Sequence, residues 1–210
     1  MREHDNIKEL TEFDIDFMGM IFYGPSPRYI GRQIDDRIIV AIPSHIKKVG
    51  VFVNEDPIVM QQKYDDYGLD YLQLHGQESP QLCRWLSDRG ISVIKAFGVH
   101  DGFDFKEVDA YHHCVDYMLF DTQTHNHGGS GEKYNWDILK RYHGKTPFFL
   151  SGGININDVV ALKMLDIPQL FALDLNSGFE IDPGRKDIPQ LVSFISQLCG
   201  DDKQSGVEKL

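Results

Sequence analysis

The sequence predicts an α/β fold built on a parallel sheet, and three observations support this prediction. Seven short apolar runs recur along the 210-residue chain. They are almost continuously apolar, as is typical of parallel strands that are covered on both faces. Their starts lie about 20 to 30 residues apart, which is the spacing of strand–helix units rather than of hairpins. Two late runs lead into the glycine-containing segments Ser151-Gly152-Gly153 and Asn176-Ser177-Gly178, which we call the glycine exits. Such segments are typical of phosphate-binding turns.

The elements follow one another as alternating strands and helices. The predicted strands span residues 17–23, 49–53, 71–74, 93–97, 117–120, 148–150 and 170–173. Asp56 and Ser79 each stand directly before a proline, so each is expected to cap a helix whose first turn contains that proline. After the sixth strand, either Asn155 or Asn157 can cap the next helix. Right-handed crossovers between such units make the sheet parallel, either open or closed into a barrel.

The chain begins with a helical pattern rather than with a strand. Residues 5–13 are predicted to form a first helix, with Asp5 as its cap. A closed barrel of this kind has eight strands, and the sequence shows seven. The predicted fold is therefore a (β/α)8 TIM barrel whose N-terminal strand would precede Met1. Residues 1–199 are expected to form this single domain, and residues 200–210 a polar tail that does not pack.

The composition limits the classes of partner and site. The chain has 21 Lys and Arg against 32 Asp and Glu, a net charge of −11, which argues against nucleic acid or an anionic membrane as partner. It has no membrane-length apolar run and no signal-peptide pattern, so a cytoplasmic location is predicted. The three cysteines and nine histidines lack the spacing of a disulfide framework or a metal site. A small-molecule substrate is the expected partner, and the oligomeric state is not predicted.

Two carboxylates and two glycine exits are the main candidates for chemistry. Asp121 follows the fifth run directly and Asp174 follows the seventh, so both are expected at the carboxyl rim of the sheet. An aspartate there can simply cap a turn, but two of them beside a phosphate site suit acid–base chemistry on a sugar. The residues expected to form one phosphate site are Gly152, Gly153, Ser177 and Gly178.

Other candidates have more than one interpretation. A loop soon after Asp121 is expected to be either a lid, an anion-binding turn or a plain surface loop, and it contains Gly128, Gly129, Ser130 and Gly131. Arg28 lies next to a proline and has two interpretations. Its planar guanidinium group could bind a carboxylate through two N–H groups, or it could be a solvated surface charge. His75 and Lys95 lie within or at the ends of apolar strands, as satisfied interior groups or as site residues.

Taken together, these segments resemble the phosphoribosylanthranilate isomerase family of (β/α)8 barrels. The matching strings run almost end to end and include Ser26-Pro27-Arg28, Gln73-Leu74-His75-Gly76, Val93-Ile94-Lys95-Ala96-Phe97, Phe120-Asp121-Thr122, Gly128-Gly129-Ser130-Gly131, Ser151-Gly152-Gly153 and Ser177-Gly178-Phe179-Glu180. The resemblance implies an Amadori rearrangement of N-(5-phosphoribosyl)anthranilate in tryptophan biosynthesis. It also implies that neither a cofactor nor a metal is needed.

The resemblance assigns roles to individual residues. Asp121 matches the general acid, Arg28 the contact to the anthranilate carboxylate, and Asp174 a further active-site carboxylate; His75 is expected to bind substrate. The phosphate cradle would be Gly152, Gly153, Ser177 and Gly178. The family's general base is a cysteine in a Cys-Gly motif at the end of the first strand, which has no counterpart in this sequence. An added apolar strand ending in Cys-Gly is therefore expected to raise both stability and isomerase activity.

Two further functions stay open, because a fold alone does not determine a function. The chain could be a noncatalytic phosphosugar-binding remnant of a barrel, which would explain the missing base. It could also be an isomerase of another phosphorylated aminosugar.

Overall fold

The computed structural model describes residues 1–122 and 134–200 of the chain. Its main sheet has seven parallel strands, and each pairs with the next along the chain. The strands are β1 (Phe17–Ile21), β2 (Lys47–Phe52), β3 (Tyr71–Leu74), β4 (Ser92–Val99), β5 (Tyr117–Thr122), β6 (Phe148–Leu150) and β7 (Leu170–Leu173). The predicted seven-stranded parallel sheet is confirmed, with differences of a few residues at the ends of β1, β2, β4 and β5.

The sheet curls until its two edges approach each other. The ring of Phe17 on β1 lies 5.1 Å from that of Phe149 on β6 and 6.1 Å from that of Phe171 on β7, although β1 and β7 are not paired. Tyr71 and Tyr117 complete this aromatic cluster, which belongs to a second core inside the curled sheet. All five rings lie at the amino-terminal ends of their strands. They fill that end of the interior and leave the carboxyl end for a pocket.

Helices cover the outer face of the sheet and share one large apolar core with it. They are α1 (His4–Leu10), α2 (Asp36–Ala41), α3 (Pro57–Tyr67), α4 (Pro80–Ser87), α5 (Val159–Lys163) and α6 (Ile188–Cys199). Short 3-10 helices span Phe105–Tyr111, Trp136–Arg141, Ile156–Asp158 and Ser177–Phe179. The prediction of a single domain over residues 1–199 stays a prediction. Apart from Gly200, the predicted tail lies outside the described residues.

Most of the predicted helix caps are present. The side chain of Asp56 accepts a hydrogen bond from the backbone of α3, and that of Ser79 accepts one from the backbone of α4. Asn155, rather than Asn157, caps the 3-10 helix that leads into α5. These side chains satisfy backbone N–H groups that have no partner within the helix.

The predicted cap of the first helix is wrong. Helix α1 begins at His4, so Asp5 lies inside its first turn, and Glu3 stands at the cap position without a side-chain hydrogen bond to the helix. A carboxylate in the first turn still interacts favourably with the positive end of the helix dipole. The sequence pattern did not distinguish these two neighbouring positions.

A small antiparallel hairpin near the end of the chain was not predicted. Its strands are β8 (Glu180–Asp182) and β9 (Arg185–Lys186). The side chain of Asn6 on α1 donates to the backbone oxygen of Lys186 and accepts from its backbone nitrogen, at 3.0 and 2.7 Å. These two buried bonds attach the hairpin to the first helix. Strands of two or three residues are too short to produce a recognisable alternation in the sequence.

A buried lysine joins the carboxyl ends of two neighbouring strands. Lys95 on β4 is only 2 % exposed. Its ammonium group donates to the backbone oxygens of Leu74, Gly76 and Ala96 at 3.0, 2.8 and 2.9 Å. A fourth contact, at 3.2 Å, is to the carboxylate of Glu78. Burial lowers the pKa of Lys95, and the negative charge of Glu78 opposes this effect.

Glu78 extends the same network to a third strand. One carboxylate oxygen accepts from the backbone of Asn54, which follows β2, and the other accepts from the backbone of Gly76, which follows β3. Both distances are 2.8 Å. The exits of β2, β3 and β4 are therefore held in one arrangement, and His75 lies within it. Lys95 is a satisfied interior group, which was one of its two predicted interpretations.

We expect Lys95→Met to lower the free energy of unfolding by about 3 to 5 kcal/mol, because it would leave the buried Glu78 carboxylate without a compensating charge. Chemical denaturation measures this change. Lys47→Met is the matched control, since Lys47 makes a partly exposed ion pair with Asp70 and its removal should change stability by less than about 1 kcal/mol. Equal effects of the two substitutions would contradict this prediction.

Candidate active site

A cavity of about 610 Å³ opens at the carboxyl ends of the strands. This volume is within the range of pockets that bind small molecules. The cavity continues along the side of the barrel between β1 and β7, where Leu10, Ile15, Phe194 and Leu198 line it. Polar groups are concentrated at the rim and apolar groups in the interior. The arrangement suits a ligand with polar ends and an apolar part.

Asp121 lies at this rim and is held by a neighbouring histidine. It is the second-last residue of β5 rather than the first residue after the strand. One carboxylate oxygen lies 3.2 Å from Nε2 of His75, and the other accepts from the backbone of Thr122 at 2.9 Å. The structure thus brings together two of the predicted site residues from β5 and from the exit of β3.

Gln73, which the sequence analysis did not select, orients that histidine. Its side-chain nitrogen lies 2.9 Å from Nδ1 of His75. Because an amide nitrogen can only donate, Nδ1 accepts, and the proton of a neutral imidazole is on Nε2. The protonated nitrogen of His75 therefore lies 3.2 Å from the carboxylate of Asp121. Gln73 lines the cavity from an otherwise apolar strand. The only sign in the sequence that Gln73 could be a site residue is its polar side chain within the run Tyr71-Leu72-Gln73-Leu74.

Asp174 follows β7 directly, as predicted. Its backbone donates to the carbonyl oxygen of Leu150, and its carboxylate accepts from the hydroxyl of Ser151 at 2.9 Å. Burial of the carboxyl group raises the pKa of Asp174, and the nearby charge of Asp121 adds to this effect. The charge of Lys186 and the bond from Ser151 act in the opposite direction. The two rim carboxylates therefore have different environments.

The two glycine exits meet at the same side of the pocket. Gly152 and Gly153 have φ angles of +97° and +65°, which side chains rarely allow. A Cβ atom on Gly152 would lie 2.2 Å from the hydroxyl oxygen of Thr122, and one on Gly178 would lie 2.0 Å from the backbone oxygen of Ile154. The backbones at the ends of β5, β6 and β7 thus approach too closely for any other residue.

Three of the four predicted phosphate residues line the cavity. They are Gly152, Gly153 and Ser177. Gly178 packs against the β6 exit, and its contribution is to allow the close approach of the two loops. The glycine-rich loop that contains Gly128, Gly129, Ser130 and Gly131 lies outside the described residues.

Arg28 lines the cavity after β1, and its side chain is bound by the hairpin. Its Nε donates to both carboxylate oxygens of Glu180, at 3.0 and 2.8 Å, and Nη2 lies 2.6 Å from one of them. The arginine is therefore not a solvated surface charge, which was one of its two interpretations. Glu180 was part of a matching string but was not predicted to be a site residue.

Lys186 is a second buried cation that the sequence analysis missed. Its ammonium group donates to the backbone oxygen of Leu175 and to the side-chain oxygen of Asn176, at 2.8 and 2.9 Å, in the loop that carries Ser177. It lies 3.6 Å from the carboxylate of Glu180. Burial lowers the pKa of Lys186 to about 8, and the charges of Glu180 and Asp174 oppose this shift.

None of the three cysteines lines the cavity. Cys83 on α4 and Cys114 before β5 are buried elsewhere, and burial raises the pKa of both thiols, that of Cys83 to about 12. Cys199 is exposed at the end of α6. Over residues 1–122 and 134–200 there is no cluster of metal-ligating side chains. The same residues include no helix long and apolar enough to cross a membrane.

Comparisons with known proteins give a consistent result. The family model described as N-(5'-phosphoribosyl)anthranilate (PRA) isomerase matches residues 1–197. An N-(5'-phosphoribosyl)anthranilate isomerase of Parabacteroides distasonis is 44 % identical over 207 residues, which cover 98 % of this chain and 94 % of the relative. One of Thermotoga maritima is 37 % identical over 191 residues, covering 90 % of this chain and 91 % of that one.

Solved structures agree with this similarity. The crystal structure of phosphoribosyl anthranilate isomerase from Thermotoga maritima has a TM-score of 0.82 at 34 % identity, and the match covers 95 % of this chain and 96 % of the other. A phosphoribosyl anthranilate isomerase in complex with reduced 1-(o-carboxyphenylamino)-1-deoxyribulose 5-phosphate has a TM-score of 0.76 at 33 % identity, with coverages of 92 % and 91 %.

We expect Gly152→Ala to lower the free energy of unfolding by about 1 to 3 kcal/mol and to weaken the binding of inorganic phosphate, because the positive φ and the contact with Thr122 must both relax. Denaturation and calorimetric titration measure the two effects. Gly24→Ala is the control, since a Cβ at Gly24 would have no atom within 4 Å. Unchanged phosphate binding in Gly152→Ala would argue against an anion site at this exit.

A second prediction concerns the pH dependence of stability at Lys186. The folded pKa of about 8 lies below the ordinary lysine pKa of 10.5, so the unfolded state binds more protons between these values and the free energy of unfolding should rise with pH there. The rise is at most about 3 kcal/mol. It should be absent in Lys186→Met and present in Lys8→Met, whose lysine is exposed on α1. Denaturation between about pH 7.5 and 10.5 tests this, and parallel curves for the wild type and Lys186→Met would contradict it.

Proposed function

The chain belongs to the N-(5'-phosphoribosyl)anthranilate isomerase family, and on that premise we propose how its pocket carries out the reaction. The reaction converts N-(5-phosphoribosyl)anthranilate to 1-(2-carboxyphenylamino)-1-deoxyribulose 5-phosphate by an Amadori rearrangement in tryptophan biosynthesis. It requires an acid that protonates the ribose ring oxygen and a base that removes the C2 proton of the resulting Schiff base. The observation that carries the proposal is the carboxylate of Asp121, 3.2 Å from His75, in one cavity with the glycine exits and Arg28.

The two ends of the substrate bind to different groups of the cavity in this proposal. The phosphate is bound by the backbone N–H groups of the glycine exits around Gly152, Gly153 and Ser177, with Gly178 supporting the loop. The anthranilate carboxylate binds Arg28. The sugar then lies across the rim, with its reacting carbon atoms near the carboxylates. Binding at both ends holds the flexible ribose in the geometry that proton transfer needs.

Asp121 is the general acid in this proposal, and His75 orients it. The contact with His75 at 3.2 Å and the hydrogen bond from the backbone of Thr122 each hold one oxygen of the carboxylate. Because Nε2 of His75 bears its proton, the imidazole is suited to orient Asp121 rather than to remove the C2 proton. Asp174, whose pKa burial raises, is the further carboxyl group beside the sugar.

The base at C2 is not assigned to a described residue. The resemblance implies a cysteine, and none of the described cysteines lies in the cavity. The proposed reaction uses no cofactor and no metal, since proton transfers alone accomplish it. The substrate is a small phosphorylated aminosugar, and we propose the cytoplasm as the place of its conversion.

We expect Asp121→Asn to lower kcat by about 10²- to 10⁴-fold with little change in KM, because an amide binds the substrate but cannot donate the proton. Steady-state kinetics of the full-length gene product measure both constants. Asp166→Asn, an exposed position outside the cavity, is the control and should retain wild-type turnover.

The wild-type assay also separates the alternative functions. Substrate binding without turnover by a folded full-length protein would favour the noncatalytic remnant. Turnover of a different phosphorylated aminosugar, but not of N-(5-phosphoribosyl)anthranilate, would favour the other isomerase. Near-wild-type kcat in Asp121→Asn would reject the proposed acid while leaving the reaction itself unchallenged.

A further inference from the structure

The hairpin β8–β9 contributes two charged side chains beside the cavity that the proposed proton transfers do not use. The side chains of Glu180 and Lys186 are only 4 % and 8 % exposed. Burying charged groups is unfavourable unless they have specific partners. Glu180 has such a partner in Arg28, which comes from the other end of the chain.

We propose that Glu180 is a positioning residue that orients the guanidinium group of Arg28 for the carboxylate of the substrate, and that it thereby determines specificity for a carboxylated arylamine. This inference rests on the proposed role of Arg28. Glu180 itself does not contact the substrate in this proposal; it acts by holding one edge of the arginine.

The geometry leaves the correct edge of Arg28 available. A guanidinium group has five N–H donors in a plane and can bind one carboxylate along each of two edges. Glu180 occupies the edge formed by Nε and Nη2. Among the described residues, Nη1 of Arg28 makes no hydrogen bond. The edge formed by Nη1 and Nη2 therefore remains for a second, incoming carboxylate.

The charges at this place also suit a carboxylate ligand. Burial alone would raise the pKa of Glu180, but the hydrogen bonds from Arg28 and the charges of Lys186 and Arg28 outweigh it, and the pKa is lowered. Glu180 is thus ionised at neutral pH. Arg28 and Lys186 both lie beside the ionised Glu180, and their positive charges favour an incoming carboxylate.

Hydrogen bonds within the hairpin and to α1 hold Glu180 in position to orient Arg28. The backbone N–H of Gly184, in the turn of the hairpin, donates to a carboxylate oxygen of Glu180 at 3.2 Å. This bond helps to hold the Glu180 side chain in place. The bonds between Asn6 and the backbone of Lys186 attach the hairpin to α1. Arg28 loses little further side-chain entropy when the substrate binds, because Glu180 already holds it.

The test compares two substrates in one variant. Glu180→Gln keeps the size of the side chain but removes the charge, so the guanidinium loses its bidentate partner. We expect kcat/KM for N-(5-phosphoribosyl)anthranilate to fall about 10- to 100-fold, mainly through KM. For N-(5-phosphoribosyl)aniline, which lacks the ring carboxylate, kcat/KM should not change. A merely structural role of Glu180 would lower both values equally, and that result would overturn the inference.

Three further variants make the outcome decisive. We define discrimination as the ratio of kcat/KM for N-(5-phosphoribosyl)anthranilate to kcat/KM for N-(5-phosphoribosyl)aniline. Asp182→Asn, at an exposed position of the same hairpin, should preserve this discrimination. Glu180→Asp, which keeps the charge but is too short to reach both nitrogens, should lose discrimination, and it replaces Glu180→Gln if that variant fails to fold. Arg28→Gln should abolish discrimination. If Arg28→Gln leaves discrimination unchanged, the proposed role of Arg28 fails; if only the Glu180 variants leave it unchanged, the present inference alone fails.

Discussion

The buried ion pair of Lys95 and Glu78 holds the carboxyl ends of β2 and β3 against β4. The ammonium group donates to the backbone oxygens of Leu74, Gly76 and Ala96, and Glu78 accepts from the backbone after β2 and β3. Because a buried charge without these partners is strongly unfavourable, the exits cannot rearrange one at a time. The position of His75, and through it that of Asp121, therefore depends on an ion pair that does not itself line the cavity.

The pocket combines opposite charges within a strongly acidic protein. The chain has a net charge of −11, yet Arg28 and Lys186 lie close together at one side of the cavity. Long-range repulsion between acidic surface groups and an anionic ligand is weakened by salt, whereas contacts inside a cavity are screened much less. A local cationic site can thus bind an anionic substrate on an anionic protein. Glu180 binds Arg28 directly and lies 3.6 Å from the ammonium group of Lys186.

The scaffold and the site make different demands on the backbone. The interior of the curled sheet is filled with aromatic rings at the amino ends of the strands, which stabilises the sheet by burial of apolar area. At the carboxyl ends the same sheet has glycines, because only they allow the ends of β5, β6 and β7 to approach within the observed distances. Chemistry at this end and packing at the other can therefore change independently, which is typical of such barrels.

Features that depend on residues close together in the chain could be predicted from the sequence. Strands β1 to β7, the caps Asp56 and Ser79, and the positions of Asp121 and Asp174 at strand ends all follow from residues a few places apart. Only the tertiary structure decided which charges meet. Arg28 and Glu180 are 152 positions apart, and neither their bond nor the burial of Lys186 has a local pattern. Folding removes water from both partners at once, and their pairing compensates for that loss, a condition that no short segment expresses.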